Sequence, residues 1–170
     1  MLAKHIDNVV VSTVKENGRR ITALQFITNS EQETKVLGAA LARQLRKGDL
    51  ILLYGEMGAG KSAFTRGIAQ GIGISDSITS PTFTILQVYT GGMLPLYHFD
   101  WYRIADASEL YEMGMDEYLQ GEGIAIVEWP QQAPEVIPDN HLHIDLEQGE
   151  NENQRVISFV SVGSFRTLSL

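Results

Sequence analysis

The apolar positions of this chain fall into short runs with two periods, and those runs predict the elements. Asp49-Leu50-Ile51-Leu52-Leu53-Tyr54 is a continuous apolar stretch of strand length, the pattern of a parallel strand covered on both faces. Residues Ala63 to Ile72 then switch to a helical spacing. Upstream, Ile21 to Ile27 alternates as a first strand of the domain. Ser30 with Glu33 three residues on has the capping-box spacing, and Val36, Leu37, Ala40, Leu41 and Leu45 continue as an apolar stripe, predicting a helix that runs until Lys47-Gly48. Downstream, Gly71 and Gly73 end the second helical pattern. A polar connection over Ser77 to Phe83 leads to a strand over Thr84 to Tyr89, and Gly91-Gly92 joins it to another over Met93 to Asp100. Two strands about Gly-Gly predict an antiparallel hairpin. Asp106 to Met113 and Asp116 to Leu119 read as short helices, and Gly123 to Glu128 as a buried strand. After the Trp129-Pro130 turn, His141 to Leu146 and Arg155 to Val160 form a final hairpin across a Glu- and Asn-rich loop. In residues 1–20 the run Val9-Val10-Val11 and the turn signal Glu16-Asn17-Gly18-Arg19-Arg20 fit an added edge strand and a loosely ordered extension equally.

The chain has 170 residues, 44% hydrophobic and 20% charged, enough for one proper core and too few for two. A single domain over residues 21–170 is expected. The longest apolar run is far short of a membrane span, and Met1 to Asp7 lacks the regions of a signal peptide, so cytoplasmic residence is expected. There is no cysteine, which excludes disulfides and thiolate metal sites. A net charge of −8 argues against a direct, tight grip on nucleic acid.

Between the first buried strand and its helix stands Gly55-Glu56-Met57-Gly58-Ala59-Gly60-Lys61-Ser62. It fits the phosphate-binding pattern G-x-x-x-x-G-K followed by Ser or Thr at every fixed position, and it lies in the required strand–loop–helix context. A triphosphate needs several backbone N–H groups turned inward together, and small residues allow that curvature. The helix opening at Lys61 adds the positive end of its dipole, the Lys61 ammonium reaches the β and γ phosphates, and the Ser62 hydroxyl holds Mg²⁺. Residues Gly55 to Ala63 are therefore the expected nucleotide-binding loop, with ATP/ADP preferred over a guanine nucleotide because no Asn-Lys-x-Asp segment follows. The fold expected around it is α/β, P-loop NTPase-like and three-layered, with a mixed, partly antiparallel central sheet.

Such a loop needs carboxylates at neighbouring strand ends. Asp100 and Glu128 occupy such ends. Asp100 is assigned to the metal shell and Glu128 to the γ-phosphate side, orienting water or a metal-bound water. Thr79 and Thr82, on a Pro81-stiffened connection, are switch candidates for the γ-phosphate and metal. His98, Tyr102 and Arg103 crowd Asp100, and Arg103 is either a charge stabiliser or a structural ion pair. His141 and His143 share a strand face without an evident third ligand, and Trp129 fits a place beside the nucleotide or in the core.

The ordered set Gly55 to Ser62, Thr79-Ser80-Pro81-Thr82-Phe83, His98-Phe99-Asp100-Trp101-Tyr102-Arg103 and Val127-Glu128-Trp129-Pro130 resembles the TsaE (YjeE) family, from about Ser30 to Leu146. The resemblance implies a small Mg²⁺-dependent ATPase of the tRNA threonylcarbamoyladenosine machinery, slow alone. It also implies docking on a threonylcarbamoyl transferase heterodimer of TsaB- and TsaD-type ASKHA-fold proteins, so that tRNA is met only through the complex. Lys61 would bind phosphate, Ser62 and Asp100 would hold Mg²⁺, Thr82 would sense the γ-phosphate and Glu128 would serve hydrolysis. Ala63 departs from the family, which commonly has a second hydroxyl there, and that affects an α-phosphate contact a backbone N–H still makes.

Two other classes compete. A small-molecule kinase needs an acceptor lid, usually arginine-rich, yet the arginines after the loop helix are Arg103, Arg155 and Arg166 alone. A GTP-dependent switch needs an Asn-Lys-x-Asp segment, and the sequence has none.

Overall fold

The computed structural model describes residues 10–16 and 19–170, with side chains from Ala23 onward. The part of the possible edge strand before Val10 and the Asn17-Gly18 centre of the turn signal lie outside the described residues. In chain order the elements are β1 Val10–Glu16, β2 Arg19–Thr28, α1 Glu31–Ala42, β3 Leu50–Tyr54, α2 Lys61–Gly71, β4 Leu86–Tyr89, β5 Leu96–Asp100, α3 Ser108–Glu112, α4 Asp116–Leu119, β6 Ile124–Glu128, β7 His141–Gln148 and β8 Arg155–Val162. Two single 3₁₀ turns, Pro130–Gln132 and Pro134–Val136, lie between β6 and β7.

The strands form one mixed sheet in the order β1-β2-β8-β7-β3-β6-β5-β4. Its centre, β7-β3-β6-β5, is parallel, and hairpin partners flank it antiparallel on both sides. This is the mixed P-loop NTPase-like sheet expected from sequence. Because successive residues of a strand point to opposite faces, β3 and β6 supply two cores at once. Ile51, Leu53, Ile124 and Ile126 meet Leu37 and Leu41 of α1 and Phe64 and Ile68 of α2 on one face. Leu50, Leu52, Ala125 and Val127 meet Leu110, Met115 and Leu119 on the other. Each of these side chains larger than alanine contributes about 1.5–3 kcal/mol when buried from water, which fixes the register of the central strands.

Helix α1 begins as its capping residues dictate. Ser30 is extended and its Oγ accepts from Glu33 N, while Glu33 Oε2 accepts from Asn29 N at 2.7 Å. The helix stops at Ala42, short of the expected Lys47. Gln44 and Leu45 donate to carbonyls three residues back, and Arg166 from the C-terminal tail binds Gln44 O and both carboxylate oxygens of Asp49. β4 also starts later than expected. Ile85 adopts φ +64, and the N–H groups of Thr84 and Ile85 both turn to Pro81 O. β5 is shorter too, since Met93 N bonds Ile72 O and Pro95 has no N–H to give.

α1 and α2 pack with almost no side chain between them. A Cβ on Gly67 would stand 2.1 Å from Lys35 O, and one on Gly38 2.5 Å from Phe64 O. This close approach sets α2, and with it the start of the loop that precedes it, against the sheet. Among the described residues no helix is long and apolar enough to cross a membrane.

Candidate functional site

β3 delivers the chain to Gly55, whose φ of +141 and whose approach to Leu146 O leave no room for a side chain; an added Cβ would stand 2.4 Å away. The loop then curls to Gly60, which caps α2 in the left-handed region at φ +103, a conformation that costs a residue with a Cβ about 1–2 kcal/mol. Phe64 N donates to Gly60 O, the first rung of the helix. The N–H groups of Lys61, Ser62 and Ala63 therefore precede the ladder and point from the helix start with its positive dipole end.

Parallel register brings the carboxylates to the same edge. Leu53 pairs with Glu128, and Glu128 pairs with Asp100, across β3, β6 and β5. Both carboxylates thus stand at the C-terminal ends of strands beside the loop, where open α/β sheets bind ligands. Met57 to Ala63, Thr82, Asp100 and Glu128 line a single cavity of about 600 Å³. Gly55 and Glu56 sit behind it, and their carbonyls accept from Lys61 Nζ at 2.6 and 2.9 Å.

Lys61 is buried. Burial pushes its ammonium below the usual lysine value, and the charges of Glu128, Asp100 and Glu56 oppose that shift. Its Nζ also lies 4.3 Å from the centre of the Trp129 ring, a cation–π distance. Trp129 takes φ +58 to present that ring and packs against Tyr102 at 5.0 Å. A bulky residue held in the left-handed region at a strand exit is stored strain of about 1–3 kcal/mol, the kind that clusters at functional sites.

Asp100 is held from three directions. Its Oδ2 accepts from Ser80 Oγ at 2.9 Å and Thr82 Oγ1 at 2.8 Å, and its Oδ1 from Tyr102 N at 2.9 Å. Glu128 is held by His98, whose Nε2 lies 2.9 Å from Glu128 Oε1 with both side chains out of water. A carboxylate only accepts, so Nε2 carries the proton. The imidazole Nδ1 has no partner among the described residues.

Not every candidate enters the site. Thr79 donates to Gln87 instead and does not line the cavity. Arg103 does line the cavity, with its guanidinium over Phe83 at 4.3 Å and, among the described residues, in no ion pair. His143 pairs with Asp145 and stacks on Tyr54, while His141 bonds Pro138 O. Among the described residues no group of three or more His, Asp or Glu side chains is arranged to hold a metal. Three residues escaped the sequence argument. Ser80 has no signal beyond its place beside Pro81, the partner of His98 lies 30 residues away in sequence, and Arg155, which bonds Gly58 O and Ala59 O, has no local signal.

The donors suit the ligands the loop implies. Unladdered N–H groups and a lysine fit a polyphosphate, and a hydroxyl with two carboxylates supplies the hard oxygens that Mg²⁺ takes. The model of the family described as "Threonylcarbamoyl adenosine biosynthesis protein TsaE" matches residues 28–157, a span that contains every one of these groups. The chain belongs to the TsaE family. It is 41% identical over 141 residues to the tRNA threonylcarbamoyladenosine biosynthesis protein TsaE of Bacillus subtilis (strain 168), covering 83% of this chain and 87% of that protein. With the protein of the same name from Treponema pallidum (strain Nichols) it shares 35% over 133 residues, covering 78% and 98%. The crystal structure of Bacillus subtilis YdiB superposes with a TM-score of 0.75 at 36% identity, covering 85% of this chain and 89% of that one. The TsaE match leaves out β1, all of β2 but Thr28 and the chain beyond residue 157, and it spans the loop, its carboxylates and the central strands that carry them.

Proposed function

We propose that this chain is a Mg²⁺-dependent ATPase required for threonylcarbamoyladenosine modification of tRNA at position 37. It works inside a complex with the TsaB- and TsaD-type threonylcarbamoyl transferase proteins. The names of its relatives support the pathway, and one observation carries the ATPase reading: Lys61, Ser62, Thr82, Asp100 and Glu128 line one cavity at the start of α2.

Bound Mg²⁺ would neutralise charge on the β and γ phosphates. The chain's own residues do the rest. The α2 N–H groups and Lys61 grip the phosphates, and Lys61 leaves the Gly55 and Glu56 carbonyls to do so. Ser62 and Asp100 supply oxygens to the metal. Thr82, tied to Asp100, senses the γ-phosphate from the connection between α2 and β4. Glu128 accepts a proton from, or orients, the attacking water, and buried His98 holds it in place. Preorganised charge of this kind, aimed at a phosphoryl group, is the main catalytic term for such transfers. The acidic surface leaves tRNA to the partners.

Measuring binding and hydrolysis in Glu128→Gln tests the assignment. ATP binding should persist while turnover falls by about 10²–10⁴-fold. Turnover equal to that of the unaltered chain would remove Glu128 from the reaction, and phosphate transferred from ATP to a metabolite would favour a kinase.

A further inference from the structure

The phosphate loop divides the sheet into two flanks. β6 and β5 lie on one side of β3 and bring Glu128 and Asp100, whereas β7 and β8 lie on the other. From that second flank, Arg155, the first residue of β8, reaches into the same cavity, with Glu152 and Asn153 beside it. The triphosphate chemistry proposed above uses none of the three.

The Arg155 guanidinium is committed along its edge. Nε donates to Ala59 O at 3.0 Å, Nη2 to Gly58 O at 3.1 Å, and Nη1 to Glu152 O at 2.7 Å and Gln154 O at 2.8 Å. Four of the five N–H groups of a guanidinium are thus spent, all on backbone carbonyls, which do not neutralise its charge. The contacts tie the ring-like plane to the phosphate loop on one side and to the β7–β8 turn on the other, so its orientation is fixed. What it offers a ligand is a flat, cationic plane on the wall of the cavity that the phosphate loop also lines. A planar, electron-rich ring is the chemistry that such a face accepts, by stacking and cation–π attraction.

We propose that Arg155 is the platform on which the purine base of the bound nucleotide stacks. The proposal rests on the nucleotide-binding reading of the loop and adds the base to it. The phosphates run toward β6 and β5, and the base lies on the β7–β8 flank. With its edge spent on carbonyls, Arg155 reads the breadth of the ring and not its exocyclic groups, so it favours purine over pyrimidine nucleotides.

Arg155 also braces the loop, and the test separates the two roles. Dissociation constants of ATP and of inorganic tripolyphosphate are measured by calorimetry for the unaltered chain, Arg155→Leu and Lys61→Ala, after thermal unfolding has shown that each is folded. The platform predicts about tenfold weaker ATP binding in Arg155→Leu with tripolyphosphate unchanged, and loss of both in Lys61→Ala. Equal weakening of ATP and tripolyphosphate in Arg155→Leu, or no change in either, overturns the platform and leaves nucleotide binding standing. If Arg155→Leu does not fold, the unaltered chain decides: ATP bound several-fold more tightly than CTP supports stacking, and equal affinities overturn it. An unaltered chain that binds neither ATP nor tripolyphosphate removes the nucleotide reading itself, and the platform with it.

Discussion

Replacing His98 by leucine removes the group that holds Glu128. His98 is 0% exposed and Glu128 3%, so water does not substitute for the lost contact. Leucine has a similar volume, which keeps the packing penalty below about 1.5 kcal/mol. A hydrogen bond to a charged group is worth about 1.5–3 kcal/mol, and in a chain of this size each kcal/mol moves Tm by about 2–4 °C. A fall in Tm of roughly 3–12 °C follows. The functional effect is separable from it. Glu128 freed to rotate forfeits part of the 10²–10⁴-fold that a positioned base contributes, so kcat for ATP hydrolysis should drop about tenfold or more, while the dissociation constant for ATP stays put. His98→Gln returns an N–H near the Nε2 position and should recover much of the lost kcat. Combining His98→Leu with Glu128→Gln should cost little beyond Glu128→Gln alone, because the two act as one unit. An imidazole whose Nδ1 has no partner among the described residues is a poor core filler, and its place in the core follows from positioning Glu128. A folded His98→Leu protein that hydrolyses ATP at the unaltered rate would mean that His98 does not position Glu128 for the reaction.

Other expectations are simpler. Gly67→Ala should destabilise the chain by about 1–3 kcal/mol or more, read as a lower urea midpoint, because the new methyl meets Lys35 O at 2.1 Å and forces α1 from α2. Burial holds His141 below the ordinary histidine value of 6.5. The unfolded chain therefore takes up a proton there first, and this contribution to stability is complete above that value and is lost as pH falls below it. Tm followed from about pH 8 to about pH 5 should show a shallower acid-side decline in His141→Asn than in the unaltered chain. Asp100→Asn keeps one oxygen to accept from Ser80 and Thr82 but sets an amide NH₂ against Tyr102 N, so it should cost the fold about 1–3 kcal/mol and weaken Mg²⁺-dependent ATP binding at least tenfold, as titration with and without Mg²⁺ would show.

Much of this site was legible in the sequence because its signals are local. The phosphate loop, the capping box at Ser30 and the apolar runs of β3 and β6 each depend on residues a few positions apart, and each formed where expected. Asp100 and Glu128 were readable as strand ends, though only the parallel register set them side by side. Contacts made across the fold were not legible. The early end of α1 depends on Arg166, more than a hundred residues away, and the late start of β4 on the left-handed turn at Ile85. Thr79 and Thr82 look alike on the same connection, but only Thr82 reaches Asp100. The pairing of His98 with Glu128 and the seat of Arg155 beside the loop come from strand order, which no local pattern carries.

The most direct test of the central claim is ATP hydrolysis by the purified chain, alone and with the two transferase proteins added, with Lys61→Ala as control. Turnover should be slow alone and strongly stimulated by the partners, and both should be lost in Lys61→Ala. Hydrolysis indifferent to the partners, or undiminished in Lys61→Ala, would contradict that claim.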